Sequence, residues 1–354
     1  RREAAHTLSQ IGDNAAPALS ALIKALDDKD AQVIAHALAA ITQLGPNAQA
    51  AVPRLIDNLK NKNAQVSFRS AYALGQVGPE AVGPLIEALK SESPDQRAGT
   101  AMALAWIGPD ALTAIDGLIQ VLGDPDSRVR DEAVRALGGM GRESVESVSI
   151  ALSTGDDDVK CSALQIFAKI GPDAQEEVLT IRRFITDDSP AVRIRAAQAL
   201  AYVGIPRTEL LQILVELLQD EHDDVHYAAS ELFMLVQPRE STVPHLIRLI
   251  EGDDHAIVLR AAHLLSRFGK SAESAVPNLV KATARLGEQD ALAVLPKALG
   301  VIGESAVEDI IAGLAASQHP ETTLRRYVDA LILIGPNTIP LLAKALSDTS
   351  PQVR

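Results

Sequence analysis

The most regular feature of the sequence is an apolar residue followed by glycine, which recurs every 30 to 34 residues. Val236-Gln237 keeps the spacing without the glycine. A fixed period of this length is the signature of a repeat architecture. The ten pairs are Ile11-Gly12, Leu44-Gly45, Val77-Gly78, Ile107-Gly108, Met140-Gly141, Ile170-Gly171, Val203-Gly204, Phe268-Gly269, Ile302-Gly303 and Ile334-Gly335.

The residues before each glycine have the pattern of an amphipathic helix. When Val192 is counted as position 0 and Gly204 as position 12, the apolar residues fall at positions 0, 4, 7, 8 and 11. These positions share one face of an α-helix. The glycine ends the helix, where a residue in the left-handed region is favoured. We call this predicted element helix B.

A second amphipathic segment, helix A, follows each glycine after a short loop. Prolines such as Pro53 and Pro244 are predicted in its first turn, where the missing N–H has no cost. Acidic runs such as Asp156-Asp157-Asp158 precede helix B, and we interpret them as helix N-caps rather than calcium ligands. One helical pair cannot bury its apolar face alone, so the sequence predicts an all-α solenoid of about ten stacked two-helix repeats.

The segments Val129–Gly141 and Val192–Gly204 show the pattern Val-Arg-x-x-Ala-x-x-Ala-Leu-x-x-Ile-Gly most clearly. This pattern resembles HEAT repeats, in particular the short bacterial HEAT-like repeats of the phycobilisome-lyase type. The resemblance covers nearly the whole chain. It implies a right-handed α-solenoid whose B helices line the concave surface, and it leaves the function open.

We expect residues 1–354 to form one continuous array that is part of a longer chain, because both ends stand at the same point of the repeat. Neither end resembles a polar capping repeat, so end-to-end self-association through the uncapped ends is one expectation. Irregularities are predicted near 237 and over 287–296, where Pro296 would kink a B helix.

With one face buried, positions 2, 3, 6, 9 and 10 of helix B point outward. We call these positions the B-helix strip. Ten basic residues there, among them Arg325 and Arg326, outnumber five acidic ones. Arginine and aromatic side chains are enriched at interface hot spots, so the strip is the predicted binding surface. The alternative is that these side chains pack between neighbouring B helices. The candidate residues are Arg69, Tyr72, Met102, Trp106, Arg135, Lys169, Arg195, Tyr202, Tyr227, Arg260, His263 and Arg267.

The amino-acid composition limits the classes of partner that the chain is expected to bind. The formal net charge of −13 disfavours nucleic acid as the general ligand, whereas the basic strip favours an acidic protein or peptide segment. Cys161 is the only cysteine, which excludes an internal disulfide framework and cysteine-based metal sites. No cofactor is expected. No apolar run approaches the roughly 18 residues of a membrane span, and no compartment is assigned beyond the cytoplasm as a default.

No catalytic motif stands out, so the sequence predicts a non-catalytic scaffold or adaptor. Three alternatives stay open through the resemblance. One is a clamp for a tetrapyrrole, as in phycobilin lyases, and another is a HEAT-like DNA glycosylase with a basic, aromatic groove. The third is a deoxyhypusine hydroxylase, and the absence of a His-Glu dipeptide counts against it.

Overall fold

The structure, a computed structural model, describes residues 1–235, 242–286, 293–315 and 321–347. These residues form α-helices and short 3-10 turns and no strand. Odd-numbered helices are the B helices and even-numbered ones are the A helices. In chain order they are α1 (Arg2–Ile11), α2 (Leu19–Ala25), α3 (Ala31–Leu44), α4 (Val52–Asn58), α5 (Ala64–Val77), α6 (Val82–Ala88), α7 (Pro94–Ile107), α8 (Ile115–Gln120), α9 (Ser127–Met140), α10 (Val145–Thr154), α11 (Asp157–Ile170), α12 (Val178–Arg182), α13 (Pro190–Val203), α14 (Arg207–Leu217), α15 (Asp223–Leu235), α16 (Val243–Glu251), α17 (His255–Phe268), α18 (Val276–Arg285), α19 (Val294–Ile302), α20 (Ala306–Ala315), α21 (Glu321–Ile334) and α22 (Ile339–Ala345).

The apolar face predicted for helix B is the buried face. In α9, Val129, Ala133, Ala136 and Leu137 at positions 0, 4, 7 and 8 are each 0% exposed. Consecutive B helices pack against each other from α1 to α13 in the first unit and from α17 to α21 in the second, and each B helix from α3 onward also packs against the A helix before it. Burying a Val or Leu side chain contributes about 1.5–3 kcal/mol, so stacking of hairpins supplies the core that one hairpin lacks.

Glycine ends the B helices as predicted, but its backbone conformation is of two kinds. Gly108 has φ 69° and ψ −133°, a region that is open almost only to glycine, and a 3-10 turn over Gly108–Ala114 follows it. Gly204 has φ 87° and ψ 44°, which is the left-handed helical region, and α14 begins after Pro206 without a 3-10 turn. The left-handed conformation expected at every repeat is therefore found at Gly204, whereas Gly108 keeps only the positive φ.

Side chains cap the B helices at their N-termini. The Asp126 carboxylate accepts from the Arg128 N–H at 2.9 Å, and Asp156 accepts from the Val159 N–H at 3.0 Å. Asp254 accepts from the N–H groups of Ala256 and Ile257 at 2.9 and 3.1 Å. These bonds satisfy amides that have no partner inside the helix, so the N-cap interpretation is confirmed for the acidic runs that contain Asp156 and Asp254, whereas the N-cap after Asp187-Asp188 is Ser189.

A basic residue at position 1 ties a B helix to the start of the next repeat. Arg97 donates through Nε and Nη2 to the two carboxylate oxygens of Asp124, at 2.6 and 2.9 Å. Lys160 makes the equivalent bond to Asp187 at 2.9 Å. Burial is the largest influence on Asp124 and opposes its ionisation, but the Arg97 hydrogen bond, the Asp126 N–H bond and the Arg97 charge together outweigh it and hold the pKa of this carboxyl below its ordinary value.

Contacts divide the chain into two compact units, Arg1–Ile205 and Pro206–Arg354. The irregularity expected near 237 lies outside the described residues, as do 287–292. The kink expected at Pro296 is not formed. Because α19 begins at Val294, Pro296 lies in the first helical turn, where its missing N–H leaves no bond unmade. The helix is shortened to nine residues instead.

Candidate protein-interaction surface

All twelve candidate residues lie on B helices, eight in the first unit and four in the second. Met102, Arg135, Arg195 and Arg260 are half-buried, and the other eight are exposed. Positions 2, 6 and 10 therefore reach solvent on most B helices, as the helical pattern predicts. We describe the two units separately.

Two aromatic rings and an arginine meet on the B-helix strip of the first unit. The Tyr72 ring on α5 and the Trp106 ring on α7 are edge to face, with centroids 5.2 Å apart and planes at 83°. The Arg135 guanidinium on α9 lies 5.7 Å from the Trp106 ring centroid. Edge-to-face rings and cation–π contacts are favourable geometries for these groups. Position 6 or 10 of three successive helices thus builds one cluster.

This cluster extends one helical turn towards the N-terminus of each helix. Phe68 precedes Tyr72 on α5, and Met102 precedes Trp106 on α7. Phe68, Tyr72 and Trp106 are 48%, 37% and 42% exposed, which is high for large apolar side chains on one face. We call Phe68, Tyr72, Met102 and Trp106 the aromatic patch.

In the first unit position 9 does not point outward as the pattern predicts, whereas Ile332 at position 9 of α21 in the second unit is exposed. A Cβ atom at Gly75 would lie 2.4 Å from the Trp106 Cβ, and one at Gly138 would lie 2.6 Å from the Lys169 Cδ. At these two sites position 9 is glycine because residue 10 of the next B helix packs directly over it. In α1 the equivalent residue, Ser9, is buried, and its hydroxyl bonds the His6 carbonyl at 2.7 Å. Trp106 is therefore anchored at its base and exposed at its ring.

A groove of about 460 Å³ opens beside the aromatic patch. Phe68 on α5, Met102 on α7 and Glu132 on α9 line it, and Ala98 and Gly99 at positions 2 and 3 of α7 form its base. Sequence reasoning missed this groove. Its signal is the pair of small residues on α7, where the neighbouring helices carry Phe68 and Arg69 or Asp131 and Glu132.

The charges around the groove are only partly neutralised. Arg128 pairs with Asp95 at 2.8 Å, and Arg135 donates to Glu132 at 2.7 Å. Lys62, which lines the groove, has no ion pair within the described residues, and neither has Arg69. The surroundings of the aromatic patch therefore keep unpaired positive charge on the α5 side.

The remaining candidates of the first unit continue along α11 and α13. Lys169 is exposed, with its aliphatic stem packed over Gly138. Arg195 donates to the Gln198 side chain at 3.0 Å. Tyr202 is exposed at position 10 of α13. These side chains are separate from the aromatic patch and form a more polar surface.

The strip of the second unit carries one exposed aromatic residue, Tyr227. Arg267 pairs with Glu231 at 2.7 Å, and His263 is exposed. Arg260 turns towards the A helices, and its Nη1 donates to the Leu218 carbonyl at 2.9 Å.

Arg326 corrects the predicted strip. It was expected to face outward, but it is 1% exposed and donates to the Leu286 carbonyl at 2.8 Å. Leu286 stands directly after α18, where carbonyl groups lack helical partners, and a buried arginine satisfies them. Position 3 in this unit therefore includes structural residues.

Two further features bear on chemistry at this surface, namely the single cysteine and the grouping of metal-ligating side chains. Cys161 is half-buried, and burial raises the pKa of its thiol, which suppresses the reactive thiolate. No group of three or more His, Cys, Asp or Glu residues is placed to hold a metal ion in the described part of the chain.

One apolar stretch is an exception to the expectation that no segment reaches the length of a membrane span. Among the described residues, Pro94–Gln120 is 27 residues long and contains an 18-residue window with a mean hydropathy of 1.3. It consists of α7 and α8, joined by the 3-10 turn that starts at Gly108. The pair α21 and α22 passes the same test only when two helices bent by 109° are counted together.

Similar folds occur among solved structures. The karyopherin Kap121p bound to Nup53p superposes with a TM-score of 0.55 at 16% identity, over 94% of this chain and 44% of Kap121p. Yeast importin-β, Kap95p, in a structure with RanGDP, gives 0.51 at 14% identity, over 96% and 49%. The chain thus spans less than half the length of these proteins. At such identities the likeness shows the fold alone.

Family models identify the repeats. No curated protein matches this sequence. The model for HEAT repeats matches residues 19–87, 82–150 and 145–233, and the model for the PBS lyase HEAT-like repeat matches residues 1–28. Together with the stacked helical pairs and their terminal glycines, these matches show that the chain belongs to the HEAT-repeat family.

Proposed function

We propose that this chain is a non-catalytic interaction scaffold that binds a segment of a partner protein on the B-helix strip of its first unit. The observation that carries the proposal is the aromatic patch. Phe68, Tyr72, Met102 and Trp106 hold apolar surface in solvent on two adjacent helices, next to Arg135. Large aromatic and arginine side chains are the residues that dominate binding at protein interfaces.

The fold supports the same reading. The karyopherin structures that resemble this chain contain bound proteins, including Nup53p, Pho4p and the SUMO protease Ulp1p. In a stack of hairpins, equivalent positions of successive B helices recur along one surface. A partner segment can therefore make many small contacts, with anchors where aromatic residues occur.

A matched pair of double variants tests the proposal. Tyr72→Ala/Trp106→Ala removes two rings from the B-helix strip, and Ile150→Ala/Leu179→Ala removes two exposed apolar side chains from the A helices. Random twelve-residue peptides displayed on phage are selected on the parent protein. The affinities of enriched peptides are then measured by calorimetry with the parent and both variants.

We expect the first variant to weaken binding about 30-fold or more, as hot-spot residues do, while the second binds like the parent. Circular dichroism checks that both fold. Equal binding by all three proteins would place the binding surface elsewhere. A random DNA duplex that binds with a steep salt dependence would favour the DNA-binding alternative, and tight binding of a tetrapyrrole would favour the lyase-like clamp.

A further inference from the structure

The base of the groove is set by two residues of α7. Ala98 is buried at position 2, and a Cβ atom at Gly99 would lie 3.0 Å from the Leu59 Cβ. Gly99 therefore lets α7 approach Leu59 closely, and the groove lies above these two small residues. The same position 2 holds Phe68 on α5 and Tyr227 on α15, so the fold accepts large residues there.

The groove has room for one large side chain of a bound segment. About 460 Å³ lies at the lower end of the range for small-molecule sites, about 300–1,000 Å³. Phe68, Met102 and Leu59 supply the apolar part of its wall, and Phe68 and Met102 belong to the aromatic patch. The charged part of the wall comes from Lys62, Asp95, Arg128 and Glu132. One large apolar side chain of a bound segment would extend the apolar surface of the aromatic patch into this groove.

The charge next to the groove indicates which type of residue would stand beside that apolar side chain in the partner segment. Arg128 and Glu132 are already paired with Asp95 and Arg135. Lys62 lines the groove without an ion pair in the described residues, and Arg69 follows Phe68 on the same helix. A carboxylate on the ligand can pair with Lys62 without displacing another acid, whereas a basic residue there is repelled.

We propose that the groove over Ala98 and Gly99 receives one large apolar side chain of an acidic partner segment, and that Lys62 pairs with a carboxylate beside it. This inference rests on the proposed function, because it names the chemistry of the partner at that same surface. In this inference the apolar side chain of the partner contacts α7, and the acidic residue of the partner lies on the α5 side.

Two matched pairs of variants test the inference with peptides selected from the random display library. Ala98→Phe fills the groove, and Ala35→Phe makes the same change at position 2 of α3, outside the groove lining. Lys62→Glu reverses the unpaired charge, and Lys60→Glu reverses a nearby lysine that does not line the groove and lies 3.7 Å from Asp57.

The enriched peptides are expected to share an aromatic or large aliphatic residue with an Asp or Glu close to it. Ala98→Phe and Lys62→Glu each weaken their binding at least tenfold, and Ala35→Phe and Lys60→Glu leave it within twofold. Hydrogen exchange checks that α7 stays folded in Ala98→Phe. Should that helix unfold, Ala98→Leu, a smaller filler, is measured in its place.

The outcomes separate the two proposals. If Tyr72→Ala/Trp106→Ala weakens binding but Ala98→Phe and Lys62→Glu do not, the groove inference is overturned and the interaction surface stands. If the peptides share no apolar residue with a neighbouring acid, the inference is also overturned. If neither the ring variant nor the groove variants change the affinity, both proposals fail.

Discussion

The first unit, Arg1–Ile205, repeats its hairpin more regularly than the second, Pro206–Arg354. From α3 to α13 every B helix has fourteen residues and ends at a glycine, whereas the described B helices of the second unit range from nine to fourteen residues. In both units, however, the backbone carbonyls that follow an A helix receive hydrogen bonds from arginine side chains. Arg97 and Arg193, at position 1, donate to carbonyls that follow an A helix, while Arg260 and Arg326 do so from position 3.

That difference shows which structural requirement is common to both units and which residue position varies. Carbonyl groups at the end of an A helix need donors wherever the chain is buried. The donor can come from either of two positions on a neighbouring B helix. The backbone carbonyls therefore determine that a hydrogen-bond donor is required, and the position of the arginine on the B helix can vary. Position 1 supplies the donor at Arg97, Arg130 and Arg193 in the first unit, and position 3 supplies it at Arg260 and Arg326 in the second.

The largest expected effect concerns the charged link between repeats in the first unit. Asp124→Asn removes the carboxylate that pairs with Arg97, whose side chains are 6% and 16% exposed. Breaking a buried pair on one side costs about 3 kcal/mol or more. Asp131→Asn changes an exposed carboxylate on α9 and is the control, expected within about 0.5 kcal/mol of the parent. Hydrogen exchange of peptides from each unit measures where stability is lost.

The same link sets an acid limit on the first unit. The folded pKa of Asp124 is below its unfolded value of about 3.9. The stabilisation is therefore complete above that pH and is lost as the pH falls through the folded pKa. The difference between parent and Asp124→Asn should shrink below about pH 4. A difference that stays constant down to pH 2 would mean that the carboxylate does not hold Arg97 through its charge.

A smaller effect is expected from closing the space between B helices. Gly75→Ala gains helix propensity but brings a Cβ atom to 2.4 Å from the Trp106 Cβ. Overpacking costs about 1–3 kcal/mol, so we expect a net loss of about 1 kcal/mol. Gly139→Ala, with no atom within 4 Å of the new Cβ, should gain up to about 1 kcal/mol.

Gly300 extends this test to the second unit, because a Cβ atom there would lie 2.5 Å from the Leu333 Cβ. A loss at Gly75 and Gly300 with a gain at Gly139 would show that both units use the same close approach at position 9. Equal gains at all three sites, measured by denaturant unfolding, would contradict it.

The smallest effects are expected from the N-caps. Asp156→Ala in the first unit and Asp254→Ala in the second each remove acceptors for amides at the start of a B helix. Each should cost about 1 kcal/mol, confined to its own unit. Similar losses would mean that the B helices of the two units begin in the same way. A loss at only one site would locate the difference in the caps.

Periodicity predicted the repeats because glycine, aspartate and the apolar face are each required by local backbone chemistry. Periodicity did not predict features that depend on an empty space or on a contact with a residue that is distant in the sequence. The groove over Ala98 and Gly99 arises from absent side chains, which a pattern of apolar residues does not register. Arg326 shares its helical position with outward residues, and only the unpaired carbonyl of Leu286 explains why it turns inward. Pro296 was expected to kink a helix that instead begins later.

Trp106 is the only tryptophan of the chain, and its ring stands in the aromatic patch with Tyr72 at its edge. The indole emission spectrum therefore comes from one place on the surface proposed to bind. Covering the half-exposed ring would shift the emission to shorter wavelength, whereas unfolding of the first unit would shift it to longer wavelength. The direction of the shift in Trp106 fluorescence thus distinguishes partner binding from unfolding of the first unit without any attached dye.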